Sequence, residues 1–225
     1  METSLHRQLK QHYAIDGALV EQRLGRYRID VVRGKQLVEI QLAPLTSIRD
    51  KIAVLLKKHD VLVVKPVIVT KHLVKRHRAG GEIISRRRSP KSRTLLDVFD
   101  ELVHFTRVFP HRRLTLEVVL IEIEEWRYPG HGRRWRRRDN DHLVEDQHLI
   151  EVLSTHKFRT AADLRRLLPA ALPQPFHTGQ LAEGLGVERW IAQRMAYCLR
   201  EMGAIRQVGK LGGAWLYKSR ATKAA

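Results

Sequence analysis

Cysteine occurs once in this 225-residue chain, at Cys198. A lone thiol excludes an intramolecular disulfide and a thiolate zinc site, so nothing points to secretion. The 12 histidines do not compensate, because none forms a His-x3-His pair on a convincing helix. Long apolar runs are also missing. None approaches the ~18 residues that a membrane-spanning helix needs, and the N-terminus lacks the apolar centre of a signal peptide. A cytoplasmic location is therefore expected, with no membrane partner. No Gly-x-Gly-x-x-Gly or Walker-type loop is present, which argues against a nucleotide or other small-molecule cofactor. A Gly-x-Ser-x-Gly elbow is absent as well.

Acidic residues are in short supply. Asp and Glu number 24 against 42 Lys and Arg, a formal net charge of +18. Such a surplus attracts polyanions, of which nucleic acid is the commonest. Residues 1–139 hold 30 of the basic and 16 of the acidic residues, so the surplus is concentrated there. The plain alternative is solubility alone. The hydrophobic share of 43% suits a globular chain rather than a disordered one.

Chemistry is concentrated in the segment 25–41. Two apolar, β-branched runs flank Arg33-Gly34-Lys35, which reads as a tight hairpin. Alternation puts Ile29 and Val31 on one face, and Asp30 and Val32 on the other. Leu37, Glu39 and Gln41 share a face on the second strand. One side is then apolar, and the other can hold two carboxylates and an amide. Paired oxygen ligands on rigid strands suit a hard cation such as Mg²⁺ or Mn²⁺. The plain alternative is a half-solvated hairpin with ordinary exposed acids.

Asp30, Glu39 and Gln41, spaced in this way, resemble the PD-(D/E)XK (restriction-endonuclease-like) nuclease superfamily. There an acid ends one strand, Glu-x-Lys lies on the next, and a further Glu often comes from the first helix. The resemblance implies a metal held by Asp30 and Glu39, with Glu2 as the helix acid and Gln41 positioning the nucleophile. Gln41 departs from the pattern, because it cannot carry the charge of the usual Lys. Lys51, one turn into the next helix, could replace that lysine in space. The surrounding elements agree with the resemblance: a helix over Glu2 to Ala14, a strand over Ala18 to Arg23, the hairpin, a helix over Ser47 to His59 capped by Thr46 or Ser47, and strands over Val61–Val64 and Val67–Val69. That order is the α-β-β-β-α-β core of a mixed α/β sheet.

Basic insertions follow. Arg86, Arg87 and Arg88 flank a turn at Gly80-Gly81. Past a helix over Asp97 to Phe105 and a strand over Leu114 to Trp126, the stretch Arg133, Arg134, Trp135 and Arg136 interleaves cations with an aromatic. That suits phosphate contacts and base stacking, or equally a solvated tip. A second domain is expected over 140–225, opening with an amphipathic helix from Val144 to Leu153. Thr160 and Asp163 form a capping box. A short helix at Thr178 to Gly186, a longer one at Val187 to Met202 and a hairpin turning at Lys210 to Gly213 resemble a winged helix-turn-helix. At 100° per residue, Ile191, Met195, Cys198, Leu199 and Met202 face inward. Arg189, Gln193, Tyr197 and Arg200 face outward, where they can touch phosphates or base edges, with Lys210 at the wing tip. The combination implies a metal-dependent nuclease acting on DNA ahead of RNA, compatible with a homodimer. The rival is a catalytically silent nucleic-acid-binding or regulatory protein on the same scaffold.

Overall fold

A computed structural model describes residues 2–15, 17–130 and 141–220. Its centre is a seven-stranded mixed sheet built from the β-branched runs. The strands are β1 (Leu19–Leu24), β2 (Tyr27–Arg33), β3 (Gln36–Ile40), β4 (Asp60–Arg76), β5 (Ile83–Arg88), β6 (Leu114–Pro129) and β7 (His142–Phe158). Their spatial order is β1-β2-β3-β4-β6-β7, with β5 paired to the far half of β4. Strands β3, β4 and β6 run parallel, and the remaining neighbours are antiparallel. Parallel neighbours require crossovers. A 3₁₀ turn (Leu45–Ile48) and α2 (Arg49–Leu55) supply the first, and α3 (Val98–Leu102) lies in the second. Helix α1 (Ser4–Tyr13) begins at Thr3, whose hydroxyl accepts the His6 N–H.

Both faces of the sheet are covered. On one, Leu5, Leu9 and Tyr13 of α1 pack on Val38, Ile40, Leu62, Val64, Val119 and Ile121. On the other, Leu37, Val61, Val63, Leu116 and Val118 meet Ile52 of α2 and Phe99 and Leu102 of α3. This second core continues unbroken into the C-terminal unit. That unit comprises α4 (Ala161–Arg165), α5 (Thr178–Leu185), α6 (Arg189–Glu201) and a hairpin of β8 (Ile205–Leu211) and β9 (Ala214–Ser219). Thr160 and Asp163 form the expected capping box of α4, and Gly186 ends α5 in the left-handed conformation that glycine adopts without strain.

Several expectations need correction. Residues 144–153 are not a helix but part of the edge strand β7. The sheet therefore runs through Phe158. Pro66 does not interrupt β4, which continues to Arg76. On one side of β4, pairing with β3 stops at Val64 and pairing with β5 starts at His72. Pro66 falls in that gap, where a missing N–H leaves no ladder bond unmade. Neither Thr46 nor Ser47 caps α2, whose N-cap is Ile48 with no side-chain bond.

Phe99 is fully buried in the core that joins sheet and C-terminal unit, and its carbonyl lies 3.7 Å from the Cys198 sulfur on α6. Phe99→Ala should destabilise the fold by about 3–5 kcal/mol. Thermal denaturation followed by circular dichroism should still give one transition, shifted down. Two separated transitions would contradict a shared core.

Candidate active site

Asp30 sits where hairpin β2–β3 splays. The two strands pair from Arg33–Gln36 to Val31–Val38 and no further. Beyond that point the Asp30 carboxylate accepts the Ile40 N–H at 2.8 Å. The side chain thus takes over a ladder bond. Alternation also breaks here: Ile29 joins the larger core and Val31 the smaller one, so the two do not share a face as expected. The supposed polar face of the hairpin is not solvated, and Glu39 is only 7% exposed.

Glu39 shares one oxygen with the Lys51 ammonium, which also donates to the Arg28 carbonyl at 2.6 Å. Its other oxygen, Oε2, is buried with no hydrogen-bond partner. Burial, and then the charge of Asp30, raise the Glu39 carboxyl to about 7, although Lys51 opposes the shift. Asp30 moves the other way. Burial pushes it up, but the bonds from His6 and the Ile40 N–H, with the charges of His6 and Lys51, bring it below the usual range. Two neighbouring carboxylates are thereby driven apart in proton affinity.

Three residues missed in the sequence complete the site. His6 Nε2 lies 3.4 Å from Asp30 and 3.1 Å from the Ile40 carbonyl, and its Nδ1 lies 3.1 Å from Glu2. The bond to Asp30 raises the His6 imidazole, although burial opposes it. Lys10, buried on α1, pairs with both Glu2 and Glu21. A signal for His6 and Lys10 was available: Glu2, His6 and Lys10 recur at spacing four, the interval that brings side chains together along a helix, although Glu2 itself precedes the N-cap Thr3. Glu21 gave none. It lies in β1 at φ +57°, between the pairs Val20–Val31 and Gln22–Ile29, so a left-handed residue turns it towards Lys10 and Arg28.

Gln41 has a different place from the one expected. Its amide nitrogen donates to the Pro44 carbonyl at 3.2 Å and the Ser47 hydroxyl at 2.8 Å. It braces the turn that leads into α2, and α2 carries Lys51. Lys65 lies nearby, donating to the carbonyls of Leu42 and Ala43, and burial lowers its ammonium.

Arg86, Arg87 and Arg88 lie exposed on β5. Leu73, the partner of Arg87, is ten residues along β4 from Val63, the partner of Glu39. At about 3.3 Å per residue that places the cluster roughly 30 Å from the acids. Arg86 pairs with Glu124, and Arg88 bonds to Thr70. Arg133, Arg134, Trp135 and Arg136 lie outside the described residues. On α6, Arg189, Gln193 and Tyr197 are exposed and Arg200 is half-buried, while Met195, Cys198 and Leu199 are buried. Ile191 and Met202 are only half-buried, and Ala192 and Ala196 fill the core face instead.

A divalent cation fits the acids on one count. The orphaned Glu39 Oε2 beside Asp30 is a buried oxygen that needs a positive partner. Among the described residues no group of three or more His, Cys, Asp or Glu gathers to hold a metal. Carbonyl oxygens or water would therefore have to fill the rest of a hard cation's shell.

A mixed α/β sheet with paired carboxylates at a splayed hairpin is the class that fold and site define. By sequence the chain belongs to the family described as Domain of unknown function (DUF8091), which matches residues 3–159. That span ends where β7 ends. A protein of Treponema pallidum (strain Nichols) named "Uncharacterized protein" is 31% identical over 219 residues, covering 96% of this chain and 85% of that protein. No solved structure matches the chain. No helix among the described residues is long and apolar enough to cross a membrane.

The raised Glu39 makes a pH-dependent stability expectation. Its folded value, about 7, lies above its ordinary value of 4.5. The folded state therefore holds the proton more tightly. Stability from this group is full below the ordinary value and falls as pH rises towards 7, by up to about 3 kcal/mol. In EDTA at pH 8, Glu39→Gln should raise the melting temperature by several degrees, and at pH 4 it should change little. A variant that melts lower than wild type at pH 8 would refute this.

Proposed function

We propose that the chain is a divalent-metal-dependent nuclease of the PD-(D/E)XK type. Its C-terminal unit would be a winged helix-turn-helix that binds nucleic acid. The observation that carries the nuclease proposal is the approach of Lys51 to Glu39, beside Asp30. The missing lysine of the sequence motif is supplied from α2, so acid, acid and ammonium stand together despite Gln41. The element order α1-β1-β2-β3-α2-β4 supports the same assignment.

Asp30 and Glu39 would hold the cation. When bound, it supplies Lewis-acid polarisation of the phosphate and a lowered pKa for an attacking water. Lys51 would present its ammonium to the scissile phosphate from a helix braced by Gln41. His6, oriented by Glu2, holds a proton next to Asp30. Lys10 offsets the charges of Glu2 and Glu21, which would otherwise repel phosphate. The exposed arginines of β5 would grip backbone phosphates roughly 30 Å away along the ribbon.

The rival, a silent binding scaffold, is favoured by one observation: no third acidic or histidine ligand gathers with the acids among the described residues. Incubation of the full chain with Mn²⁺ and plasmid or oligonucleotide substrates separates the two. Cleavage should appear in wild type. It should fall at least about 100-fold in Asp30→Ala and in Lys51→Met, while binding in EDTA changes less than about threefold. Absence of cleavage of DNA and RNA in wild type, with binding intact, would favour the scaffold.

A further inference from the structure

The surface between α6 and the β8–β9 hairpin combines a groove with exposed aromatic rings and cations. A groove of about 230 Å³ opens there, lined by Thr178, Arg189, Gln193, Gly213, Ala214, Trp215 and Tyr217. Trp215 is 47% exposed, a large apolar ring left in water. The Lys210 ammonium lies 4.1 Å from its centroid. One helical turn beyond Gln193 on the same stripe of α6, exposed Tyr197 carries the Arg200 guanidinium over its ring at 5.5 Å. Residues 159–220 hold ten Lys and Arg against four Asp and Glu, so the unit is basic throughout.

Exposed aromatics cost hydration free energy unless a partner covers them. A cation stacked on an aromatic ring adds charge beside an apolar face. Cations beside exposed rings form the platform on which single strands bind, bases stacking while phosphates meet Lys and Arg. Duplex bases are already stacked on one another and cannot use such a ring. A third stack, Arg194 over Trp190, serves as an internal contrast. Trp190 is 44% exposed, but its Arg194 is tied to Asp100 of α3 and the ring does not line the groove.

We infer that this groove binds single-stranded nucleic acid, with an unpaired base stacked on Trp215, phosphates held by Arg189 and Lys210, and Gln193 facing the base edge. The inference rests on the nucleic-acid-binding part of the function proposed above and is independent of cleavage. It gives the substrate class: DNA or RNA with an unpaired segment or end.

Fluorescence anisotropy of the full chain in EDTA, at one fixed salt concentration, tests it with labelled oligo(dT), oligo(rU), duplexes of equal length and an abasic strand. A single strand should bind more tightly than a duplex, and the abasic strand more weakly than its parent. Trp215→Ala should weaken single-strand binding by about fivefold or more. Trp215→Phe, which keeps a stacking face, should retain most of it, and Trp190→Ala should change little. A duplex that binds as well as either single strand overturns the inference, as does a Trp215→Phe loss equal to that of Trp215→Ala. Failure to bind any nucleic acid would overturn the nucleic-acid reading with it.

Discussion

Two neighbouring carboxylates at the seam of two cores, Glu39 buried and Asp30 half-buried, are the constraint around which the rest is arranged. Removing a carboxylate from water is expensive, and two adjacent ones repel. The chain answers with cations from two directions: His6 from α1 and Lys51 from α2. The Ile40 N–H adds a fixed dipole. Even so, one oxygen of Glu39 lacks a partner. A core selected for stability alone would place an apolar side chain there, which is why this pair is the candidate site.

The same logic explains the shape of the surroundings. The splay of β2 from β3 lets Asp30 reach into the ladder. The parallel pairing of β3 with β4 requires a crossover, and that crossover brings α2, and so Lys51, to Glu39. Gln41, at the end of the hairpin, fastens the turn before α2. Position in sequence and position in space are thus exchanged: the residue two beyond the acid holds the scaffold, and the residue 12 beyond it supplies the charge. The C-terminal unit shares the larger core with the sheet.

Much of this was legible in the sequence, because local chemistry agreed with the global fold. The hairpin at Gly34, the spacing of Leu5, Leu9 and Tyr13, the capping box at Thr160 and the apolar stripe of α6 each used one clear signal. The misread segment, 144–153, failed for a physical reason. Strand β7 pairs with β6 through three irregularities, at Leu120/Ile121, Glu122/Ile123 and Trp126/Arg127. Each shifts the alternation by a residue, so a period of two is scrambled into something that passes for an amphipathic helix. Glu21 was invisible because a left-handed glutamate leaves no trace in composition. Trp215 gave no sign because a lone tryptophan in a hairpin reads as core until its exposure is known.

The most direct test of the central claim is anomalous diffraction from crystals of the full chain soaked in Mn²⁺. The expected result is a peak bonded to carboxylate oxygens of both Asp30 and Glu39, lost in crystals of Asp30→Asn. No peak at the pair, with Lys51 still seated on Glu39 at saturating Mn²⁺, would contradict a metal-dependent site and leave the acids as a structural ion cluster.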